Sequence, residues 1–164
     1  MHISFGDAAA YHAPMLETMP ERYTRAVRLR LEMARYVMAE DYVRALAVRE
    51  VLNREVEAAL SECDALLLPT LPIPAPPLGA VSMQVGASQE PVRSLMLRLT
   101  QLFNLTGHPA ISVPCGLTSA GLPCGLQLVG RRNRTDELVR VALAVEDILD
   151  RAGVWPHDRS STEA

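Results

Sequence analysis

Apolar residues recur at three- and four-residue steps in four stretches of this chain. Tyr23, Val27, Leu31, Ala34 and Met38 step through 22–38 with arginines between them, which predicts a helix. Pro20 suits its first turn, where a missing N–H costs nothing. Tyr42, Ala45, Val48, Leu52, Val56 and Ala59 mark a second helix over 41–60, with Asp41 placed to cap it. Val92, Leu95, Leu99 and Leu102 mark a third over 91–103, ending near Asn104 because Gly107 and Pro109 block continuation. A fourth helix starts at Thr135 as its cap. Asp136 and Glu137 stand in its first turn, where they complement the helix dipole. Leu138, Ala142, Val145 and Leu149 form its stripe, and Gly153 follows as a C′ residue.

Elsewhere the apolar residues run together. The run at 64–69 (Asp-Ala-Leu-Leu-Leu-Pro), 110–113 and 125–129 read as three short strands covered on both faces. Whether the last two pair as a hairpin or lie parallel is not decided by their spacing. Between the first strand and the third helix, 69–77 holds five prolines in nine residues. Such a segment is neither helix nor central strand; it is a polyproline-like crossing or a linker. Residues 81–90 are polar and read as loop, and 114–123 as a turn region. The pattern is therefore α/β. Three buried strands make a small sheet with two apolar edges, a hazard in water, and this predicts that a larger sheet continues beyond these residues.

Composition narrows the function classes. The chain has 164 residues, enough for one domain with a core, and a formal net charge of −3, which gives nucleic acid no basic surface to bind. No apolar run approaches the roughly 20 residues that span a bilayer. Residues 1–11 lack a charged, then apolar, leader pattern, so no signal peptide is expected. Cys63, Cys115 and Cys124 are sparse and odd in number, which predicts reduced thiols and a cytoplasmic location rather than a disulfide framework. All 16 basic residues are arginine; the chain has no lysine.

Three blocks in order carry a resemblance. They are Asp64-Ala-Leu-Leu-Leu-Pro-Thr-Leu-Pro, Asn104-Leu-Thr-Gly-His-Pro-Ala-Ile-Ser-Val-Pro-Cys-Gly and Gly121-Leu-Pro-Cys-Gly-Leu-Gln-Leu-Val-Gly. Together they are similar to the C-terminal part of the amidase signature family, enzymes that hydrolyse carboxamide C–N bonds. The resemblance implies a partial α/β/α sandwich with helices packed on a mixed sheet. It makes residues 1–154 the C-terminal part of one amidase domain, followed by a polar tail at 155–164. It also implies a Ser–cis-Ser–Lys triad, in which a hydroxyl needs a base within reach and an oxyanion needs backbone donors. This chain has no lysine and no Gly/Ser-rich tract, and its single adjacent serine pair, Ser160-Ser161, sits in the tail. No catalytic residue, metal or cofactor is therefore assigned to it, and the N-terminal catalytic half is expected to lie elsewhere.

The resemblance further implies that Thr70 and Asn104 are candidates for lining the substrate pocket, while Gly107, Pro109, Gly116 and Gly125 set backbone geometry. The glutamine-specific branch, typified by glutamyl-tRNA amidotransferase, carries an acidic residue shortly before the Asn-Leu turn and an arginine near the equivalent of Pro14. Here those regions read Leu95-Met96-Leu97 and show no arginine before Arg22, which favours a general amidase. The implied partner is a small-molecule amide bound by the full-length parent. The alternatives are a fragment of a glutamyl-tRNA amidotransferase A subunit, or a non-catalytic interaction module whose exposed sheet surface is a candidate for self-association. Gln127, on a buried strand, needs a polar partner. Cys115 with His108 could pair as nucleophile and base, but cysteine is more commonly a small buried hydrophobe, and no Cys-x₂-Cys spacing suggests zinc. His2, His12 and His157 read as exposed. Arg131, Arg132 and Arg134 read as a surface cluster, and the helix arginines, interleaved with glutamates, as a solvated face.

Overall fold

The computed structural model describes residues 2–154; the polar tail, with His157 and Ser160-Ser161, lies outside them. The chain divides into two compact units, Met1–Asn53 and Arg54–Ala164.

The first unit is helical. It holds α1 (His2–Thr18), a 3₁₀ turn (Pro20–Arg22), α2 (Arg25–Ala34) and the first part of α3 (Ala39–Ala59). The periodicity gave no hint of α1, because Gly6 and Pro14 interrupt its helical propensity. Tertiary contact explains Gly6: a Cβ there would stand 2.8 Å from Cδ2 of Tyr42, whose ring fills that space. The Tyr42 hydroxyl donates to Asp7 at 2.7 Å. His12 is half-buried rather than exposed, its Nδ1 lying 2.9 Å from the Tyr23 hydroxyl. The expected helix over 22–38 is shorter than its stripe. Thr24 has an extended backbone and its Oγ1 accepts from the Val27 N–H at 3.4 Å, so the cap falls after Tyr23. Of that stripe Leu31 and Ala34 are buried, while Val27 and Met38 are exposed. α3 begins at Ala39, which puts Asp41 in the first turn with Glu40 instead of at the cap.

The second unit is a sheet between two helical layers. All three expected strands form: β1 (Leu66–Pro69), β4 (Ala110–Leu117) and β5 (Pro123–Val129). Their order is β1-β5-β4, both pairs antiparallel, and β4 and β5 are hairpin partners. The central strand is buried over Gln127, Leu128 and Val129, but the flanking strands alternate and Leu67 is 61% exposed. The expectation that every strand is covered on both faces therefore applies to β5 alone. On one face Val129, Leu66 and Leu68 pack with Val56 of α3, with Leu60 just past its end and with Phe103 of α5 (Gln101–Thr106). On the other, Leu128 and Val113 pack with Leu138 and Ala142 of α6 (Thr135–Arg151). Thr135 does not cap α6; Arg134 holds that position without a side-chain cap bond. At the far end Gly153 donates to the Asp150 carbonyl and Val154 to that of Leu149, the paired bonds of a Schellman ending.

Three other expectations change. Residues 81–90 are not loop but a hairpin, β2 (Ser82–Val85) with β3 (Ser88–Pro91). Serine and glutamine on these strands conceal the alternation that usually marks one. The third helix is broken into α4 (Val92–Leu97) and α5, and the buried Gln127 amide donates to the Leu99 carbonyl in the break at 3.0 Å. That is the partner Gln127 needed. Finally, Arg131 is half-buried rather than free on the surface. Its Nη2 donates to the Leu60 and Cys63 carbonyls, at 3.1 and 2.9 Å, where α3 ends and leaves carbonyls without helical partners. Arg131→Met should cost about 2 kcal/mol in urea unfolding, since both charge-assisted bonds go and the carbonyls stay half-buried. Arg132→Met, which loses only an exposed pair with Glu57, should cost under about 1 kcal/mol.

His108 is fixed by a similar local argument. Its ring is fully buried. Thr106 Oγ1 donates to the Leu102 carbonyl, so it accepts from His108 Nδ1–H at 2.8 Å. Nε2 is left as a lone pair 3.4 Å from Glu57 Oε1, without a hydrogen bond. Burial lowers the pKa of this ring, outweighing the Glu57 carboxylate, which raises it; Arg132 lowers it further. The unfolded chain, near 6.5, therefore takes up a proton before the folded one. Stability should be flat above about pH 7.5 and fall as pH drops below about 6.5. His108→Gln should remove most of that slope, read from urea midpoints at the two ends of the range.

Candidate functional site

β1 delivers Thr70 to the edge of a cavity. The ladder with β5 runs one residue past β1, the Thr70 N–H donating to the Gly125 carbonyl at 2.9 Å. In the adjacent row, Ser112 of β4 stands opposite Gln127. Thr70 and Ser112 sit on strands that do not touch each other, with β5 between them. Their hydroxyls nevertheless meet at 2.5 Å. They can do so because the intervening residue is Gly125. A Cβ there would stand 2.7 Å from Ser112 Oγ and 2.8 Å from Thr70 Oγ1.

This hydroxyl pair is part of the wall of a cavity of about 700 Å³, within the ordinary range of ligand sites. The proline-rich segment 69–76 forms another part, so it is a crossing rather than a linker, pinned by the buried Ile73. Met96, Pro114, Cys115, Thr118 and Cys124 also line it. Among the described residues, no charged side chain and no histidine lines it. Ser112 thus has a hydroxyl beside it but no lysine, histidine or carboxylate in the described lining to activate it, and the wall offers chiefly hydrogen bonds and apolar contact.

The sequence-derived candidates separate. Thr70 and Gly125 are in the cavity wall. Asn104 is exposed on α5 and is not among the lining residues. Gly107 ends α5 with φ +73°, and its N–H donates to the Phe103 carbonyl at 2.8 Å. The Pro109 carbonyl accepts from Gly130 at 2.9 Å, and Gly116 lies in a β4 irregularity with φ +119°. Cys115 lines the cavity while His108 does not; its ring contacts are Thr106 and Glu57. Ser112, Met96, Thr118 and Cys124 were not singled out as pocket residues. For Ser112 a signal existed: between Ile111 and Val113 it must face the side of the strand opposite to theirs. Among the described residues no group of three or more His, Cys, Asp or Glu could hold a metal ion. No described helix is long and apolar enough to cross a membrane.

The family model described as Amidase matches residues 7–139. A curated relative named Amidase, from Pseudomonas putida, is 37% identical over 96% of this chain and 33% of its own length. One chain of the glutamyl-tRNA(Gln) amidotransferase of Parvibaculum lavamentivorans is 38% identical over 76% of this chain and 25% of its own. A solved amidase crystal structure superposes with a TM-score of 0.76 at 34% identity, over 84% of this chain and 31% of that one. The chain spans about a third of the length of the relatives it matches most extensively. The fold is shared with that amidase over 84% of this chain, the family model covers residues 7–139, and the chain belongs to the amidase family.

Proposed function

We propose that this chain builds one wall of the substrate cavity of a carboxamide hydrolase whose nucleophile and base are supplied by a part of the family domain outside these 164 residues. The observation that carries the reading is the cavity wall itself. It is largely apolar and proline-walled, it presents the Thr70–Ser112 hydroxyls, and among the described residues its lining holds no lysine, histidine or carboxylate. Binding and orientation can be done here. Activation of a serine by lysine cannot, because the chain has no lysine. Alone, the chain is inactive.

The same wall favours an uncharged amide over glutamine. Glutamine presents an ammonium and a carboxylate, and a site that holds them needs opposite charges. The lining contains none, and Met96 stands in the stretch where the glutamine-specific branch has an acid. The test is a chimera in which residues 7–149 replace the matching segment of the Pseudomonas putida amidase. The chimera should hydrolyse uncharged aryl and alkyl amides in preference to glutamine. Thr70→Val in it should raise KM about 3- to 10-fold, the loss of one hydrogen bond. Equal turnover of glutamine, or a Thr70→Val variant with unchanged KM, would argue against the reading.

A further inference from the structure

Two cysteines, Cys115 and Cys124, lie in the cavity wall on neighbouring strands, and nothing in the amide chemistry uses them. In the β4–β5 ladder Pro114 pairs with Gly125 and Leu117 with Pro123. Between those pairs β4 has two residues, Cys115 and Gly116, and β5 has one, Cys124. Cys115 and Cys124 are therefore the opposed residues of a two-against-one bulge. Directly opposed residues in an antiparallel pair have Cα atoms about 4.5–5.5 Å apart. That lies within the roughly 4.4–6.8 Å a disulfide spans. By alternation along each strand Cys115 keeps the side of Val113 and Cys124 that of Leu126, which pair with each other, so both point to the same side of the hairpin, and both are free, half-buried thiols in the cavity lining.

We infer that Cys115 and Cys124 form a reversible redox site, closing to an intrachain disulfide in the cavity wall when a low-molecular-weight disulfide such as oxidised glutathione is present. The Cys124 thiolate attacks one glutathione sulfur, the glutathione S–S bond breaks, and one glutathione leaves as thiolate. Cys115 then gives up its proton and attacks Cys124 Sγ in the mixed disulfide, expelling the second glutathione. Two protein thiols are oxidised, one glutathione disulfide is reduced, and the two protons end on the two glutathione thiols. The order follows from the surroundings: burial, and secondarily the neighbouring Cys124, push the Cys115 thiol up, which suits it to the second step. The inference is independent of the chain's role in amide hydrolysis. It concerns a bond across a bulge, and the cavity changes shape with its redox state.

Cys63 is the internal control, at the end of α3 with its Sγ on the Ala59 carbonyl. The reduced full-length chain is exposed to oxidised glutathione, then unfolded for thiol titration, intact mass and peptide mapping. Two of the three thiols should disappear, the mass should fall by two hydrogen atoms with no glutathione retained, and dithiothreitol should restore both. Cys63→Ser should leave this behaviour intact. Cys115→Ser should trap a glutathione adduct on Cys124, which needs no change in the hairpin backbone. Three thiols still titratable, separate stable adducts on Cys115 and Cys124 in the unmutated chain, or a bridge to Cys63 would each overturn the assignment.

Discussion

Gly125→Val should cost about 3 kcal/mol, the upper part of the range for forcing extra atoms into a filled space. The first added carbon alone would lie 2.7 Å from Ser112 Oγ, 2.8 Å from Thr70 Oγ1 and 3.2 Å from Thr70 Cβ. Those side chains have to rotate away, which breaks their mutual hydrogen bond, and valine's two further carbons then enter the cavity. The effect is local to that contact, which gives a sharper check than the size of the loss. Gly125→Ala should cost less than valine, and combining it with Thr70→Ala and Ser112→Ala, which remove the two hydroxyls, should recover part of the loss. Urea unfolding of the single and combined variants measures the coupling. Additivity within about 0.5 kcal/mol would mean that the glycine is required for some reason other than the approach of the two hydroxyls.

Leu128→Ala should be as costly, about 3 kcal/mol, for a different reason. Leu128 is 1% exposed on the central strand and packs with Val113, Leu138 and Ala142. With a strand on each side and α6 above, the backbone cannot close over the lost volume, so a cavity term adds to the transfer term. The row of the sheet supplies its own comparison. Leu67 pairs with Leu128 in the ladder but is 61% exposed. Leu67→Ala should therefore change stability by less than about 1 kcal/mol. Equal losses at the two positions would mean that the edge strand is covered in solution.

How much of this was legible beforehand depended on how local the cause was. The strands at 66–69 and 125–129 could be read because unbroken apolar runs meet proline and glycine, and α6 because its stripe has no interruption. α1 could not, since Gly6 is excused only by the Tyr42 ring packed against it. The break between α4 and α5 has no signal within its own segment; it is completed by Gln127, 28 residues away. Arg131 read as surface because its partners are carbonyls, which have no sequence signature. Thr70 was reached through the family resemblance. Its partner Ser112 lies 42 residues away and is brought to it only by the register of two strand pairs and a missing side chain between them. Cys115 and Cys124, weighed in the sequence only as reduced thiols or with His108 as zinc ligands, gave no sign of pairing for the same reason: only the bulge sets them opposite each other.

The direct test of the account is whether the purified chain, by itself, breaks an amide bond. It should release no amine or ammonia above the buffer rate from uncharged aryl or alkyl carboxamides, because among the described residues its cavity wall holds no lysine, histidine or carboxylate to activate the Thr70–Ser112 hydroxyls. Turnover that survives replacement of Thr70 and Ser112 by alanine would contradict it outright, since a complete hydrolytic centre would then lie within these 164 residues.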